Sequence, residues 1–376
     1  MNIHYLDNSA TTQVSKAAAE KACLVMRDNF ANPSSLHSMG FEAAKEIESA
    51  REAVAETIGG SSAEIHFTSG GTEANNIAIL GACEARKKRG NKIVTTALEH
   101  SSVYDSMLYL KEQGFEVVFL PTDSKGNMNL RDAFEAIDSK TVLVSLMHTN
   151  SEIGVINPIS DIAAIIKRNG SSALFHCDAV QAFGKTPIRV SKLGVDLLSV
   201  SAHKIHGAKG VGALYIKKGT HILPRTYGGK QENKIRPGTE NAPGIAAFGV
   251  AVKELDTIKA TEHVSSLNSY LRESLSGIES IVINSPENGS PYILNFSTRL
   301  IRSETMLHYL ASKNIFVSSG SACSRGGKSR VLTSLGLSEE TIDTAIRVSF
   351  SKHNTKEDCD ALIEGIKSGL NNLARR

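Results

Sequence analysis

The 376-residue sequence predicts an α/β protein, with a mostly parallel, doubly wound sheet in a large domain and a smaller α+β domain after it. Between about residues 40 and 220, short apolar segments rich in β-branched residues alternate with helix-like segments, which is the pattern of βαβ units. Several of these apolar segments lack alternation of polar and apolar residues, as strands covered on both faces do. After about residue 250 the regular alternation of strand and helix segments gives way to a long helical stretch followed by further strands, which indicates a second unit.

The elements of the large domain follow in order along the chain. The predicted helices are FEAAKEIESAREAVAETI, TEANNIAILGACEARKKRG, SSVYDSMLYLKEQG and ISDIAAIIKRNG. The predicted strands are KIVTTA, EVVFL, TVLVSLMH, ALFHCDA, DLLSVSAH and GALYIKK. In such sheets ligands bind beyond the carboxyl ends of the strands, so polar residues at those ends are the candidates for a site.

The second unit begins with AVKELDTIKATEHVSSLNSYLRESLSGI, which the sequence predicts as one long helix. The segments IVIN, YILNFST and AIRVSF are predicted strands, and a final helix follows them. We predict a large domain at residues 15–250 and a small α+β domain made of residues 1–14 with residues 251–376. The small domain contains SSGSACSRGG, where Cys323 lies among small residues with basic residues close behind. This stretch alone leaves open a reactive thiol or an ordinary surface loop.

Composition excludes several classes of protein. A formal charge of +3 is too small to predict binding to nucleic acid or to a membrane surface. No apolar run approaches the roughly 18 residues of a membrane span, and MNIHYLDNSATT lacks the pattern of a signal peptide. The five cysteines are scattered and form no CxxC pair, which disfavours a disulfide framework and a metal site. We therefore expect a cytoplasmic protein.

Three predicted strand ends carry residues that could bind a ligand or take part in a reaction. In FTSGGTEANN, glycines lead into a helix start, which suits either a phosphate group or a simple threonine-capped turn. In FHCDAVQ, Asp178 either caps a helix or holds a ring nitrogen protonated. In SAHKIHG, Lys204 is either a surface cation or a Schiff-base lysine. His100, in TALEHSSV, lies at a further junction between strand and helix.

The combination is more specific than its parts. A phosphate loop, an aspartate and a lysine at the ends of strands in one sheet are what a pyridoxal 5'-phosphate site requires. The loop is neither a Walker A sequence nor a dinucleotide fingerprint, so a phosphorylated cofactor other than ATP or NAD fits it.

The chain resembles the NifS/IscS-type cysteine desulfurases, which are homodimeric fold-type I pyridoxal-phosphate enzymes of the class V aminotransferase family. The resemblance runs nearly from end to end. It rests on YLDNSATT, NPSSLH, FTSGGTEANN, EHSSV, FHCDAVQ, SAHKIHGAKG, GGKQENKIRPGTEN and SSGSACS, which occur in the family's order.

The resemblance implies a role for each site residue. Lys204 would hold the aldehyde of the cofactor as a Schiff base, Asp178 would pair with its ring nitrogen and Gln181 would contact its ring hydroxyl. The phosphate would be bound by Gly71, Thr72, Ser201 and His203, with Thr239 of the partner subunit. His100 would stack on the ring as an acid/base group, and Arg347, helped by Asn32, would hold the substrate carboxylate.

The resemblance also implies the part played by Cys323. This thiol would attack the sulfur of L-cysteine, so that alanine is released and a persulfide passes to an acceptor protein. The acceptor could be an iron–sulfur scaffold or a tRNA-thiolating enzyme. A selenocysteine lyase, an aminotransferase-like enzyme and a non-catalytic subunit of a sulfur-trafficking complex are the alternatives.

The chain departs from the family pattern at two places. TNSEIG stands where the family has Asn-Asn-Glu-x-Gly, so Asn150 is retained and Ser151 replaces the asparagine that faces the cofactor. By this resemblance both Asn150 and Ser151 are expected to bind the cofactor. Because a serine hydroxyl has a shorter reach, weaker tuning of the ring oxygen is expected. CSRGGKSRVL is two residues shorter than the common form of the cysteine loop and more basic, which suits an acidic acceptor.

Overall fold

The computed structural model describes residues 2–319 and 328–376. The strands in this part of the chain are β1 (His4–Tyr5), β2 (Ile65–Thr68), β3 (Lys92–Thr96), β4 (Glu116–Leu120), β5 (Thr141–Met147), β6 (Leu174–Asp178), β7 (Leu197–Ser201), β8 (Gly212–Ile216), β9 (Val282–Ile283), β10 (Ile293–Ser297), β11 (Ile315–Phe316) and β12 (Ala345–Ser349). The α-helices are α1 (Lys16–Arg27), α2 (Ser38–Ile58), α3 (Gly71–Arg86), α4 (Ser101–Glu112), α5 (Leu130–Ala136), α6 (Ile159–Arg168), α7 (Val190–Leu193), α8 (Ala242–Lys253), α9 (Thr257–Ser276), α10 (Ser303–Ala311), α11 (Arg330–Ser334), α12 (Glu339–Asp343) and α13 (Lys356–Asn372).

The central sheet has seven strands in the order β2–β8–β7–β6–β5–β3–β4. β8 is antiparallel to both of its neighbours, and the other pairings are parallel. Two reversals cancel, so β2 runs in the same direction as β7. The carboxyl ends of β2, β7, β6, β5 and β3 therefore meet at one edge of the sheet. This confirms the predicted α/β class with a mostly parallel sheet.

The predicted strands and helices of the large domain are confirmed to within a few residues at each end. The prediction of one long helix at residues 251–278 is wrong, because α8 ends at Lys253 and α9 begins at Thr257. The side chain of Asp256 accepts a hydrogen bond from the backbone N–H of Lys259 at 3.2 Å. An aspartate in this position caps a new helix, and it ends the continuity that the apolar periodicity suggested.

The C-terminal part contains its own small sheets. β9, β10 and β12 form an antiparallel sheet, while the N-terminal strand β1 pairs in parallel with β11. Leu6 is fully buried in an apolar cluster whose other members lie between Val264 and Ile366. The first residues of the chain thus pack with the last third. The division at residues 14 and 250 remains a prediction.

A smaller apolar cluster joins the central sheet to the C-terminal part. We call it the bridging cluster, and its buried members are Leu98, Ile153, Val155, Val331, Leu332, Leu335 and Ala345. We call residues 318–329, which contain Cys323, the cysteine segment. The bridging cluster seats α11, the helix that follows this segment, beside the carboxyl ends of β3 and β5. None of the helices within residues 2–319 and 328–376 is both long and apolar enough to cross a membrane.

Candidate active site

A cleft of about 490 Å³ opens at the edge where the strand ends meet. That volume is typical of sites for small ligands. Ten of the residues predicted from the sequence line it, namely Gly71, Thr72, His100, Ser151, Asp178, Gln181, Ser201, His203, Lys204 and Arg347. They come from six separate stretches of the chain, and the fold brings them together.

The cleft is built for a polar ligand. Within the described residues, seven buried side-chain atoms lack a hydrogen-bond partner, and five of them belong to residues that line this cleft. These five are Ser9 Oγ, Asn75 Oδ1, Glu99 Oε2, Ser201 Oγ and Arg347 Nε. Buried polar atoms are almost always paired, so a concentration of unpaired ones marks where a ligand supplies the missing partners.

One end of the cleft suits a phosphate group. Gly70 has φ 156° and ψ −179°, a conformation that only glycine adopts readily, and it lets the chain turn from β2 directly into α3. A Cβ on Gly71 would lie 2.6 Å from Val180 Cγ2, so a side chain there would collide with the loop after β6. The first amides of α3, with Thr72 and the unpaired Ser201 hydroxyl, form an anion cradle.

His203 lies beside this anion cradle, and its imidazole ring is neutral at neutral pH. Burial and the positive charges of Lys204 and Lys209 lower the pKa of His203 to about 4. Its Nδ1 lies 3.2 Å from Thr11 Oγ1, and its carbonyl oxygen accepts hydrogen bonds from Thr12. The N-terminal segment therefore holds the turn that follows β7.

Asp178 is held in a single orientation at the end of β6. Its Oδ1 accepts a hydrogen bond from the backbone N–H of Val180 at 3.0 Å, and its Oδ2 accepts one from Asn75 Nδ2 at 2.8 Å. Asn75 also donates to Ser102 Oγ at 2.9 Å. Asn75 was not predicted from the sequence, although it lies one helical turn after Gly71 and therefore on the face of α3 that meets the cleft.

His100 caps α4 with its own side chain. Its Nδ1 accepts a hydrogen bond from the backbone N–H of Ser102 at 3.1 Å and lies 2.8 Å from Ser102 Oγ. Burial, with Lys204 and Arg330 nearby, lowers the pKa of His100 below its usual value against the opposing effect of Asp178. A neutral imidazole whose Nδ1 is an acceptor carries its proton on Nε2, so His100 presents an N–H donor.

Lys204 follows β7 in a single 3₁₀ turn, as the sequence analysis placed it. Its Nζ donates to the carbonyl oxygens of Ser9 at 2.5 Å and Ala10 at 2.8 Å. Backbone carbonyls direct the amine, and the N-terminal segment that supplies them borders the cleft itself.

Arg347 reaches the cleft from β12 and is only 3% exposed. It donates from one terminal nitrogen to the carbonyl oxygen of Ser151 at 3.0 Å and from the other to Asp7 Oδ1 at 2.8 Å. Its Nε is the unpaired nitrogen noted above. A buried guanidinium with unused donor capacity is suited to a carboxylate.

Three predicted residues do not line this chain's cleft. Asn150 is fully buried, donates to the carbonyl oxygen of Leu98 at 2.9 Å, and accepts from the backbone N–H groups of Glu152 and Ile153. It shapes the turn that presents Ser151 and does not reach the ligand space. Asn32 and Thr239 are exposed at the surface. Cys323 lies outside the described residues.

Arg330 lines the cleft, although the sequence indicated it only as one of the basic residues that follow Cys323. Its guanidinium donates to the carbonyl oxygens of Ala97 and Glu99 and stacks over the Tyr104 ring at 3.9 Å from the ring centroid. It fastens the start of α11 to the segment that carries His100. Its position in the cleft depends on the bridging cluster, which places α11 at this edge of the sheet.

A phosphate cradle, an oriented aspartate and a lysine at neighbouring strand ends define a pyridoxal-phosphate enzyme, and the unpaired polar atoms fit that cofactor. Residues 4–362 match the family model described as aminotransferase class-V. The chain is 41% identical over 375 residues to the cysteine desulfurase IscS of Dictyoglomus turgidum, covering 98% of this chain and 95% of the relative. It is 42% identical over 366 residues to the cysteine desulfurase IscS of Methanosarcina thermophila, covering 96% and 90%.

A solved structure agrees with these relatives. The structure described as a NifS-like protein superposes with a TM-score of 0.92 at 39% identity, covering 99% of this chain and all of the other. The chain therefore belongs to the class-V aminotransferase family and, within it, to the cysteine desulfurases, which use pyridoxal 5'-phosphate.

Proposed function

We propose that the cleft takes sulfur from L-cysteine, releases L-alanine and leaves the sulfur as a persulfide on Cys323. The observation that carries this proposal is the convergence of the cradle, Asp178, Lys204 and Arg347 on one cleft beside both ends of the cysteine segment. The match to curated cysteine desulfurases over nearly the whole chain supports it.

The residues around the cleft divide the work of holding the cofactor. The helix start at Gly71, with Thr72, Ser201 and His203, would bind the phosphate, Asp178 would face the ring nitrogen, and Lys204 would hold the aldehyde. When bound, pyridoxal phosphate supplies an electron sink, which lets bonds at Cα and Cβ of an amino acid break with their electrons left on carbon.

The remaining groups act on the substrate. Arg347 would bind its carboxylate through donors that are already buried, so little solvent has to be removed from the guanidinium when substrate arrives. Lys204 would move the proton at Cα, and its carbonyl partners at Ser9 and Ala10 keep the amine in one place. His100 would donate from Nε2 as a neutral acid.

Cys323 would take the sulfur as a thiolate. A bond forms between its Sγ and the sulfur of cysteine, the substrate's bond between Cβ and Sγ breaks, and the electron pair stays with Cβ, which is then protonated to the methyl group of alanine. No external oxidant is needed, because carbon is reduced while the two sulfur atoms are oxidised.

The ends of the cysteine segment are fixed near the cleft. Ser318 exchanges backbone hydrogen bonds with Arg347, and Ser329 donates to Glu152 Oε2 at 2.5 Å. Cys323 follows Ser318 by five positions, so the chain restricts their Cα atoms to at most about 18 Å apart. That tether is compatible with a thiol that meets substrate in the cleft and an acceptor outside it.

We further propose a homodimer in which the partner completes the site. Six large apolar side chains between residues 24 and 41 are exposed, namely Leu24, Met26, Phe30, Leu36, Met39 and Phe41. We call them the α1–α2 patch, and a group of exposed large apolar side chains of this kind is typical of a protein interface. Asn32 lies within the same stretch. Ser34 borders a surface depression together with Gln231 and Glu240, close to Thr239 in the chain.

Disrupting the α1–α2 patch is expected to give monomers with a lower affinity for cofactor. Leu36 and Phe41 are 106% and 62% exposed, so the double variant Leu36→Asp with Phe41→Asp places two charges on an apolar face without disturbing a core. Sedimentation velocity should show a monomer where the parent protein is a dimer. Ile258→Asp, at a 69% exposed apolar residue of α9, is the matched control and should leave the mass unchanged.

The sulfur acceptor would be an acidic carrier protein, since the cysteine segment is rich in basic residues. Iron–sulfur assembly and tRNA thiolation both fit such a carrier.

We place the protein in the cytoplasm, because a persulfide-forming thiol needs a reducing compartment. The described cysteines are free thiols, three of them buried.

Restoring the family residue at position 151 tests the tuning of the ring oxygen. Ser151 lines the cleft, and an amide there would donate a hydrogen bond to that oxygen. A donor stabilises the anionic oxygen, so Ser151→Asn is expected to lower the pH at which the visible absorbance band changes. The shift is at most about 1–2 pH units, from the worth of one charge-assisted hydrogen bond. Identical spectral titrations for parent and variant would contradict this role, and Ser172→Asn, at an exposed loop position, is the control.

The proposal as a whole is tested by incubating the loaded protein with L-cysteine and measuring the intact mass and the alanine formed. The expected result is one added sulfur atom, located at Cys323 by peptide mapping, together with alanine. Alanine without any sulfur on the protein would refute the persulfide step.

A further inference from the structure

Lys185 is a buried lysine to which the reaction above gives no role. It lies in the loop after β6, is only 6% exposed, and its Nζ donates to Gln181 Oε1 at 3.1 Å. Within the described residues this is the one hydrogen bond shown for its amine. The Nζ atom also lies 5.6 Å from the centroid of the Tyr292 ring. A lysine is rarely buried so fully without a specific partner, so its position calls for a cause.

The contacts of Gln181 fix which way its amide faces. Oε1 meets the amine of Lys185, while Nε2 donates to the carbonyl oxygen of Ser9 at 3.0 Å. Rotating the amide by 180° would set its NH₂ group against the ammonium form of Lys185 and its oxygen against a carbonyl, which loses both hydrogen bonds. The carbonyl oxygen of Gln181 is thereby occupied, and the second N–H of Nε2 remains for the cleft that this residue lines.

We propose that Lys185 is a positioning residue, which locks the Gln181 amide so that it presents an N–H donor to the ring oxygen of the cofactor. This inference rests on the proposed contact of Gln181 with that oxygen. Without Lys185 only the hydrogen bond to Ser9 holds the amide, so it turns more easily, and an acceptor then faces an oxygen that works as an anion. The effect of Lys185 on the cofactor therefore passes through Gln181.

Lys185 also carries charge in a crowded cationic region. Burial and the positive charges of Lys204 and Arg347 lower the pKa of Lys185 to about 7. The other titratable groups around it are His203 and His206, whose pKa values it lowers in turn, together with Asp256 and Lys352, which line a small cavity beside it. Loss of its charge could act directly on the cofactor, so the experiment has to separate charge from positioning.

The experiment is a double-mutant cycle read by the visible absorbance of the loaded protein against pH. Lys185→Met keeps the unbranched side chain up to the ε position and removes the N–H groups, and Gln181→Met removes the amide. Lys185→Met is expected to raise the pH of the spectral change by about one unit, because the anionic oxygen loses its donor. In the Gln181→Met background the same substitution should have no further effect. Thermal unfolding of each variant without cofactor checks the fold, and Lys185→Leu replaces Lys185→Met should that variant not fold.

Three results would overturn the inference, each in a different way. An equal shift from Lys185→Met in both backgrounds means that its charge acts directly and that it does not position Gln181. A shift from Gln181→Met with none from Lys185→Met means that the amide needs no lock. No shift from Gln181→Met removes Gln181 from the ring oxygen, which contradicts the site assignment in the proposed function while leaving the desulfurase reaction intact.

Discussion

Lys204→Ala is expected to give a protein that no longer holds the cofactor covalently and that has lost its cysteine desulfurase activity. Lys204 is the lysine that follows β7 at the cleft edge, and its Nζ is directed by the carbonyl oxygens of Ser9 and Ala10. Alanine removes both the amine that would hold the aldehyde and the base that would move the proton at Cα. The turnover of L-cysteine should fall by at least about 10²–10⁴-fold, the range for removing a positioned proton-transfer group.

Borohydride reduction followed by peptide mapping gives the decisive measurement. In the parent protein the reduced cofactor should be found on Lys204, and in Lys204→Ala it should be found on no residue. Lys185→Met is the matched control, because Lys185 is a buried lysine close enough to Lys204 for their charges to interact, and the substitution should leave the covalent label in place. A label on another lysine in the parent protein would refute the assignment.

The strand ends could be predicted from the sequence because local patterns determine them. Apolar segments such as TVLVSLMH stop where a polar residue begins, and a parallel sheet brings those stops to one edge. Asp178, Ser201 and Lys204 therefore reach the cleft for reasons that can be seen within a few residues of each. The helix break at Asp256 was missed because an aspartate within an apolar periodicity is compatible with either a continuous helix or a new cap.

The residues that support the site could not be predicted, because their roles depend on contacts distant in the chain. Arg330 acts on Ala97 and Glu99, more than 200 positions earlier. Lys185 is buried partly by Tyr292, and the hydroxyl of Thr261 bonds its backbone carbonyl at 2.9 Å. Asn150 shows the reverse case, since it was predicted to bind the cofactor, whereas two hydrogen bonds within its own turn and one to the distant Leu98 hold its side chain against the backbone.

Glu99 illustrates how burial changes the chemistry expected from a residue type. It is fully buried beside His100, and burial raises the pKa of its carboxyl to about 8. Oε1 accepts hydrogen bonds from the backbone N–H of Met147 at 2.9 Å and from Thr96 Oγ at 3.1 Å. At neutral pH the carboxyl is therefore largely protonated. It ties β3 to β5 without placing a second full negative charge next to Asp178.

Cys323→Ala is expected to abolish both the added sulfur and the formation of alanine, while the visible spectrum of the bound cofactor stays that of the parent protein. The cofactor residues Lys204, Asp178 and the cradle at Gly71 are untouched by the substitution, so cofactor binding should be unaffected. The sulfur of L-cysteine, however, would have no thiolate to receive it, and release of alanine requires that transfer.

The other thiols make poor substitutes for Cys323. Cys177, next to Asp178, is fully buried, and burial raises the pKa of its thiol well above the ordinary value. Burial also raises the pKa of Cys359, to about 12, so both remain protonated at neutral pH and react slowly. Cys23 is exposed on α1, which makes Cys23→Ala the matched control for loss of an accessible thiol.

Intact-mass measurement and alanine assay on the parent protein, Cys323→Ala and Cys23→Ala decide the matter together. The parent and Cys23→Ala should each gain sulfur and release alanine at similar rates, and Cys323→Ala should do neither. Alanine released by Cys323→Ala at the parent rate would mean that another thiol takes the sulfur, and Cys177→Ala would then be the variant to test. If Cys323→Ala keeps the parent colour but has no turnover, while Cys23→Ala keeps both, then cofactor binding does not depend on the thiol of Cys323. The loss of turnover is in that case due to the missing sulfur-accepting group.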